Sequence, residues 1–169
     1  MLPEPLHPAV VHLPIALAVL SPLAAIGALV AIRAGWLPRR VWVAVVALHA
    51  LLAGSAWLAV ETGEAQEETV ERVVHERFIE SHEEGAERFL AVVAVAALVS
   101  AAGLLAGRLG ALGRVATAAA GAAVFAAAVA VGHSGGELVY RHGAASAYVE
   151  RTGPAIDARA SASVHRDEE

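Results

Sequence analysis

The sequence predicts an all-α integral membrane protein, a four-helix bundle with an extra amphipathic helix between the second and third spans. Two observations support this fold class. The 169 residues are 57% hydrophobic, with a mean hydropathy of +0.60, more apolar than a typical soluble domain. No Asp or Glu occurs between Glu4 and Glu61, or between Glu87 and Glu137. Each gap is long enough for two spans, because one transmembrane helix needs about 20 apolar residues.

The predicted spans cover about residues 13–34, 41–61, 86–107 and 114–133, within one domain of residues 1–149. Pro14 suits a first helical turn, whereas Pro22 is expected to bend the first span because proline has no N–H for the carbonyl four residues earlier. Gly103 and Gly107 form a small-residue pair that favours close helix contact. Residues 150–169 are predicted to be a polar, solvated C-terminal tail.

Residues 61–88 differ from the rest, because they hold ten Glu. Val70, Val73, Val74 and Phe78 recur at helical spacing, which predicts an amphipathic helix over about residues 66–82. We expect this helix either to lie along the membrane surface or to rise directly into the third span. A solvated helix face is the simpler explanation of the Glu residues, and docking of a basic partner such as a periplasmic cytochrome is the functional alternative.

The charges also predict an orientation. Four crossings place both termini and residues 62–88 on one side of the membrane and the two short connectors on the other. The connectors contain five Arg and no acidic residue: Arg33, Arg39, Arg40, Arg108 and Arg114. The positive-inside rule makes the connectors cytoplasmic. We therefore expect a bacterial inner-membrane protein with both termini in the periplasm.

The composition excludes several classes of function. The chain has no cysteine, which excludes disulfides, iron–sulfur clusters, thiolate zinc sites and covalently attached haem. A net charge of -5 without a basic stripe excludes nucleic acid as a partner. The sequence offers no catalytic base or nucleophile, so we do not expect a stand-alone enzyme. The lipid bilayer is the one partner that the composition requires.

The histidines are the candidate functional residues. Neutral imidazole binds haem iron, copper and zinc, and a helical bundle builds such sites from facing helices. Seven of the eight histidines are predicted to lie on the periplasmic side; they are His7, His12, His75, His82, His133, His142 and His165. Four of these are expected at a common depth as metal ligands: His12, His82, His133 and His142. His7 is the alternative ligand or a support for one.

Residues 132–143, GHSGGELVYRHG, are predicted to close this site. Glycines beside a ligand let the backbone approach a flat ring, and arginine pairs well with carboxylates such as haem propionates. The candidate cofactor-binding residues besides the histidines are therefore Gly132, Gly135, Gly136, Tyr140, Arg141 and Arg88. The simpler alternatives are histidines that cap helices and small residues that only pack helices tightly. His49, alone at mid-membrane, is predicted to be a buried residue hydrogen-bonded to Ser55 or to a carbonyl.

Several stretches resemble a widespread bacterial family of four-helix inner-membrane proteins that carries a domain-of-unknown-function label. They are HPAVVHLPIAL at residues 7–17, ETGEA after the second span, a single histidine ahead of the third span, and GHSGGELVYRHG. The resemblance covers about residues 5–145 and emphasises five positions: His7, His12, His82, His133 and His142. Relatives look like companions of respiratory or cytochrome genes, so the resemblance implies a redox or haem role.

Three functions remain open at this point. The first is a b-type cytochrome-like subunit, in which two histidines bind haem b near the periplasmic face and pass electrons to a larger membrane redox complex or a periplasmic cytochrome. The second is a cofactor-free structural or assembly subunit of a respiratory or photosynthetic membrane complex. The third, weaker interpretation is a copper- or zinc-binding membrane protein.

Overall fold

The computed structural model describes residues 5–149, and this part of the chain is helical without strands. Four helices are long and apolar enough to cross a membrane, so the predicted four-helix membrane fold is confirmed. The helices are α1 (His7–Val10), α2 (His12–Arg33), α3 (Trp42–Glu64), α4 (Glu67–Val70), α5 (Glu76–Ala102), α6 (Gly107–Tyr140) and α7 (Ser146–Val149). The predicted tail at residues 150–169 lies outside the described residues.

The four spans α2, α3, α5 and α6 form a closed ring. α2 packs against α3 and α6, and α5 packs against the same two helices. The main core lies inside the ring and consists of Leu17, Ala18, Leu52, Ala56, Phe89, Val93, Ala96 and Val124. A smaller core follows it along the bundle and consists of Ala25, Trp42 and Val45. Large apolar side chains cover the outside of the bundle, which is the pattern of a helix bundle that faces lipid.

The end of the bundle that carries the two connectors, hereafter the arginine end, is closely packed. The Trp42 indole N–H donates to the Ser100 carbonyl oxygen over 3.0 Å. A Cβ atom on Gly113 would lie 2.7 Å from the Gly103 nitrogen, so these two helices touch through their backbones. The buried Arg114 guanidinium donates to the Gly103 carbonyl oxygen, which satisfies one of the last acceptors of α5.

The helix contacts at the arginine end differ in detail from the predicted glycine pair. Gly103 makes the close contact, but its neighbours are the Trp42 indole and Gly113 of α6 rather than Gly107. Gly107 instead begins α6 with a φ of +66°, a backbone conformation that glycine adopts without strain. Further along, a Cβ atom on Gly121 would lie 2.5 Å from the Pro22 Cβ atom, so α2 and α6 approach closely where proline interrupts the hydrogen bonds of α2.

The opposite end, hereafter the histidine end, differs from the prediction in two ways. The single amphipathic helix predicted over residues 66–82 is wrong: α4 is four residues long and α5 starts separately at Glu76. The His75 Nδ1 atom accepts the Arg77 backbone N–H over 3.4 Å at this start, and α5 then rises directly into the third span. In addition, α6 continues to Tyr140, beyond the predicted end at 133. The apolar cluster that holds this extension contains Val74, Ile79, Ala144 and Leu138.

Candidate functional site

Two histidines from different elements meet at the histidine end. His7 is the first residue of α1, and His82 lies in the second turn of α5. Their ring centroids are 6.4 Å apart, and the ring planes are nearly perpendicular at 86°. Both side chains are half-buried. This arrangement, hereafter the histidine pair, is the point at which the bundle concentrates metal-binding atoms.

Hydrogen bonds fix the tautomer of each ring. His7 Nδ1 donates to the Ala59 carbonyl oxygen over 2.9 Å. The His82 Nδ1 atom lies 2.8 Å from Ser134 Oγ, and the Ser134 hydroxyl in turn donates to the Val131 carbonyl oxygen over 3.0 Å. Because the Ser134 proton is already used, its oxygen accepts from His82 Nδ1. Each imidazole therefore carries its proton on Nδ1 and keeps the Nε2 lone pair available, which is how metal-binding histidines are held.

Two glycines give the rings their positions. A Cβ atom on Gly63 would lie 3.2 Å from the His7 Cε1 atom, and one on Gly135 would lie 3.1 Å from the His82 Cε1 atom. Both separations are tighter than ordinary van der Waals contact, so each ring packs on a bare backbone surface. An alanine at either position would push an imidazole away from its partner.

The histidine pair borders two cavities. The first, hereafter the apolar cavity, has a volume of about 300 Å³ and extends towards the membrane core past Val11, Ile15 and Phe89. Its wall includes Gly132 and Gly136, and within residues 5–149 no atom outside their own helix neighbourhood lies within 4 Å of a Cβ built on either glycine. These glycines leave the wall of the cavity open rather than bringing two helices together.

The second cavity, hereafter the acidic cavity, is also lined by both histidines and has a volume of about 420 Å³. Its lining includes Gln66, Glu67, Glu83 and Tyr148. The charges of four further carboxylates act on Glu83; they belong to Glu64, Glu67, Glu71 and Glu87. Apolar atoms form most of the wall of both cavities, and the second differs in having two carboxylates, Glu67 and Glu83, among its lining residues.

The structure does not bring His12, His82, His133 and His142 together. Within the described range, no three His, Asp or Glu side chains lie close enough together to hold one metal ion. His12 and His133 are exposed, and His133 Nε2 lies 3.8 Å from Glu137 Oε1. His142 stacks on Phe78 with ring centroids 3.7 Å apart. Successive helical residues point about 100° apart, so Ser134 facing inwards turns its neighbour His133 outwards.

The structure places the other predicted residues as follows. Gly132, Gly136 and Tyr140 line the apolar cavity, and Gly135 supports the His82 ring. The Arg88 and Arg141 guanidinium groups form ion pairs with Glu84 and Glu137, each four residues earlier on the same helix. Neither arginine is among the residues that line the two cavities.

Two residues of the site were not among the predicted ones. Ser134 stands inside the GHSGG stretch and Gly63 inside ETGEA, so both occur in motifs that the resemblance had singled out. The prediction for His49 is confirmed, because the side chain is buried and its Nδ1 atom donates to the Val45 carbonyl oxygen over 2.8 Å.

The fold and the site together define an integral membrane protein with four apolar spanning helices and a histidine pair at one end of the bundle. The chain belongs to the family described as "Predicted membrane protein (DUF2231)", which matches residues 3–147. This family membership confirms the resemblance found in the sequence. No curated protein and no solved structure matches the chain.

Proposed function

We propose that the histidine pair binds haem b through the Nε2 atoms of His7 and His82, and that the protein is an electron-transfer subunit. One observation carries this proposal. Two imidazoles bound to opposite faces of one iron, with metal–nitrogen bonds of about 2 Å, have ring centres about 6 Å apart. The His7 and His82 centroids are 6.4 Å apart, and hydrogen bonds hold both Nδ1 atoms.

The surroundings of the pair fit such a group. A porphyrin is flat and largely apolar, and the apolar cavity beside the pair has two glycines in its wall that meet no other protein atom among the described residues. The Ala59 carbonyl and the Ser134 hydroxyl orient the rings and raise their basicity as ligands. Phe89 and Ile15 add apolar surface to the wall of this cavity. The haem supplies the one-electron chemistry when bound.

The orientation and the partner belong to the same proposal. With the arginine end in the cytoplasm, the histidine end and both termini lie in the periplasm of a bacterial inner membrane. The Glu residues around the acidic cavity then face the periplasm and favour a partner with a basic surface. We expect this partner to be a periplasmic cytochrome or a larger membrane redox complex.

The absorption spectrum of the detergent-purified full chain, expressed with haem precursor, tests this function. We expect a reduced b-type band that is lost in His7→Ala and in His82→Ala. His12→Ala and His133→Ala are matched controls, because both side chains are exposed and neither belongs to the pair. They should keep the band.

Other outcomes of the same measurement overturn the haem proposal. A colourless protein that still co-purifies with a membrane complex indicates the cofactor-free assembly subunit. Copper or zinc without porphyrin in elemental analysis indicates a metal site, because the same two Nε2 lone pairs bind either ion. A band that survives the His7→Ala, His82→Ala double substitution assigns the haem to other residues.

A further inference from the structure

A second polar location lies inside the membrane-spanning bundle, away from the histidine pair. Among the described residues, two buried side-chain polar atoms have no hydrogen-bond partner in the protein: Ser21 Oγ and His49 Nε2. Both side chains have 0% of their surface exposed. Buried polar groups without partners are rare, and those inside a membrane are usually functional.

The two residues lie at the same depth on neighbouring helices. Ala18 of α2 belongs to the core cluster that contains Leu52 of α3, and Ala25 of α2 belongs to the cluster that contains Val45 of α3. Ser21 lies between the two alanines on α2. His49 lies between Val45 and Leu52 on α3. Since α2 and α3 pack against each other, both side chains fall in the layer between the two cores.

A third polar group belongs to this layer. Pro22 has no N–H to donate to the Ala18 carbonyl oxygen, which is the normal acceptor four residues earlier in the helix. Ala18 is itself fully buried. The carbonyl oxygen therefore needs a donor from outside the regular hydrogen bonds of α2. It lies one turn before Ser21, on the same face of the helix.

The donors and acceptors of these three groups do not balance among themselves. His49 Nδ1 donates to the Val45 carbonyl, so its Nε2 atom is an acceptor. The Ala18 carbonyl is a second acceptor, and the Ser21 hydroxyl is the one donor in the set. A direct bond from Ser21 to His49 would leave the carbonyl unpaired. A doubly protonated His49 would be a buried cation, and residues 5–60 contain no Asp or Glu to pair with it.

We propose that this layer binds one buried water molecule, held by Ser21 Oγ, His49 Nε2 and the Ala18 carbonyl oxygen. The water donates one O–H to His49 Nε2 and the other to the Ala18 carbonyl, and it accepts the Ser21 hydroxyl proton. All three groups are then satisfied, and about three hydrogen bonds is the usual number for an internal water. The site links α2 to α3 at mid-membrane and does not depend on the histidine pair.

Magnetisation transfer from water to the His49 ring tests this site, in the full chain with ¹⁵N,¹³C-labelled histidine reconstituted in lipid. We expect the Nδ1–H tautomer, an Nε2 atom that accepts a hydrogen bond, and clear transfer from water. Ser21→Ala should abolish the transfer. Pro22→Ala restores the N–H for the Ala18 carbonyl, removes one partner of the water and should reduce the transfer.

The controls separate this site from other causes. Ser55→Ala is matched to Ser21→Ala, because Ser55 is buried but its hydroxyl already donates to the Leu52 carbonyl oxygen. It should leave the transfer unchanged, as should His7→Ala at the histidine pair. No transfer in the parent protein, transfer that survives Ser21→Ala, or a direct correlation from the Ser21 hydroxyl to His49 Nε2 would each overturn the proposal.

Discussion

The two ends of the bundle use glycine for opposite purposes. At the arginine end, a Cβ atom on Gly113 would meet the Gly103 nitrogen at 2.7 Å, so the missing side chain is filled by another helix. At the histidine end, a Cβ atom on Gly132 or Gly136 would have no such neighbour within 4 Å among residues 5–149. Glycine in a helix is destabilising by about 0.5–1 kcal/mol relative to alanine. At the arginine end, helix packing offsets this loss of stability. At the histidine end, the glycines leave a cavity beside two imidazoles.

The polar groups of the two ends differ in the same way. The Trp42 N–H and the Arg114 guanidinium each donate to a backbone carbonyl, which uses them in holding the helices together. His7 and His82 each use one ring nitrogen for a hydrogen bond, and the other ring nitrogen has no hydrogen-bond partner among the described residues. We infer that the arginine end is structural and that the histidine end is built for binding.

The same substitution at the two ends should give the largest contrast. Gly113→Ala places a methyl group against the backbone of α5, and such overpacking destabilises by about 1–3 kcal/mol. Gly132→Ala meets no protein atom and should stabilise the cofactor-free protein by about 0.5–1 kcal/mol. Reversible unfolding in mixed detergent micelles measures both. Equal effects of the two substitutions would refute the difference between the ends.

Gly132→Ala also tests the proposed haem binding. Its methyl group projects into the apolar cavity, so the variant should retain less haem than the parent although its fold is not weakened. The haem-to-protein ratio after purification measures this. Gly54→Ala is the matched control, because no neighbouring atom approaches that position and Gly54 is not among the cavity-lining residues. Haem retention that is unchanged in Gly132→Ala would argue against a group in this cavity.

Removing the hydroxyl that holds His82 should have an intermediate effect. Ser134→Ala deletes the acceptor of the His82 Nδ1–H bond, and loss of such a support typically lowers metal affinity about 10- to 100-fold. Competition with a haem-binding protein measures the change. Ser81→Ala, an exposed serine on α5, is the control. An unchanged affinity in Ser134→Ala would show that this bond does not support a ligand.

The smallest effect is expected for His142, which the sequence had placed among the ligands. His142 stacks on Phe78, and the Arg77 guanidinium also lies over the Phe78 ring, 4.5 Å from its centroid. Stacked rings contribute about 0.5–1.5 kcal/mol. His142→Ala should therefore lower stability by about 1 kcal/mol and leave the absorption band in place. Loss of the band in a folded His142→Ala protein would assign this histidine to the site after all.

The sequence predicted the spans well because charge determines which segments enter lipid. Gaps without Asp or Glu marked α2, α3 and most of α5 and α6. The same criterion missed the last turns of α6, because residues 134–140 include polar residues and glycine but are held as a helix by contacts of Leu138. Hydropathy reports depth in a membrane and not the packing that extends a helix beyond it.

The histidine pair was harder to predict for a related reason. His7, His12, His82 and His133 have similar predicted depths, but depth does not define the direction in which a helical residue points. His7 and His12 are five residues apart, which places them on different faces of nearly continuous helices. No sequence motif specified which side chains contact each other. Ser134 and Gly63 became recognisable only through their contacts with the rings.

The length of α5 sets where the pair stands relative to the lipid. Ala102 ends this helix at the arginine end, and His82 precedes it by 20 residues, about 30 Å along the axis. The hydrocarbon layer is also about 30 Å thick. A hydrocarbon layer that begins level with Ala102 would therefore end near His82, with the first turns of α5 beyond it. Under the proposed haem function, a soluble carrier that rests against these turns would come within electron-tunnelling range of the histidine pair.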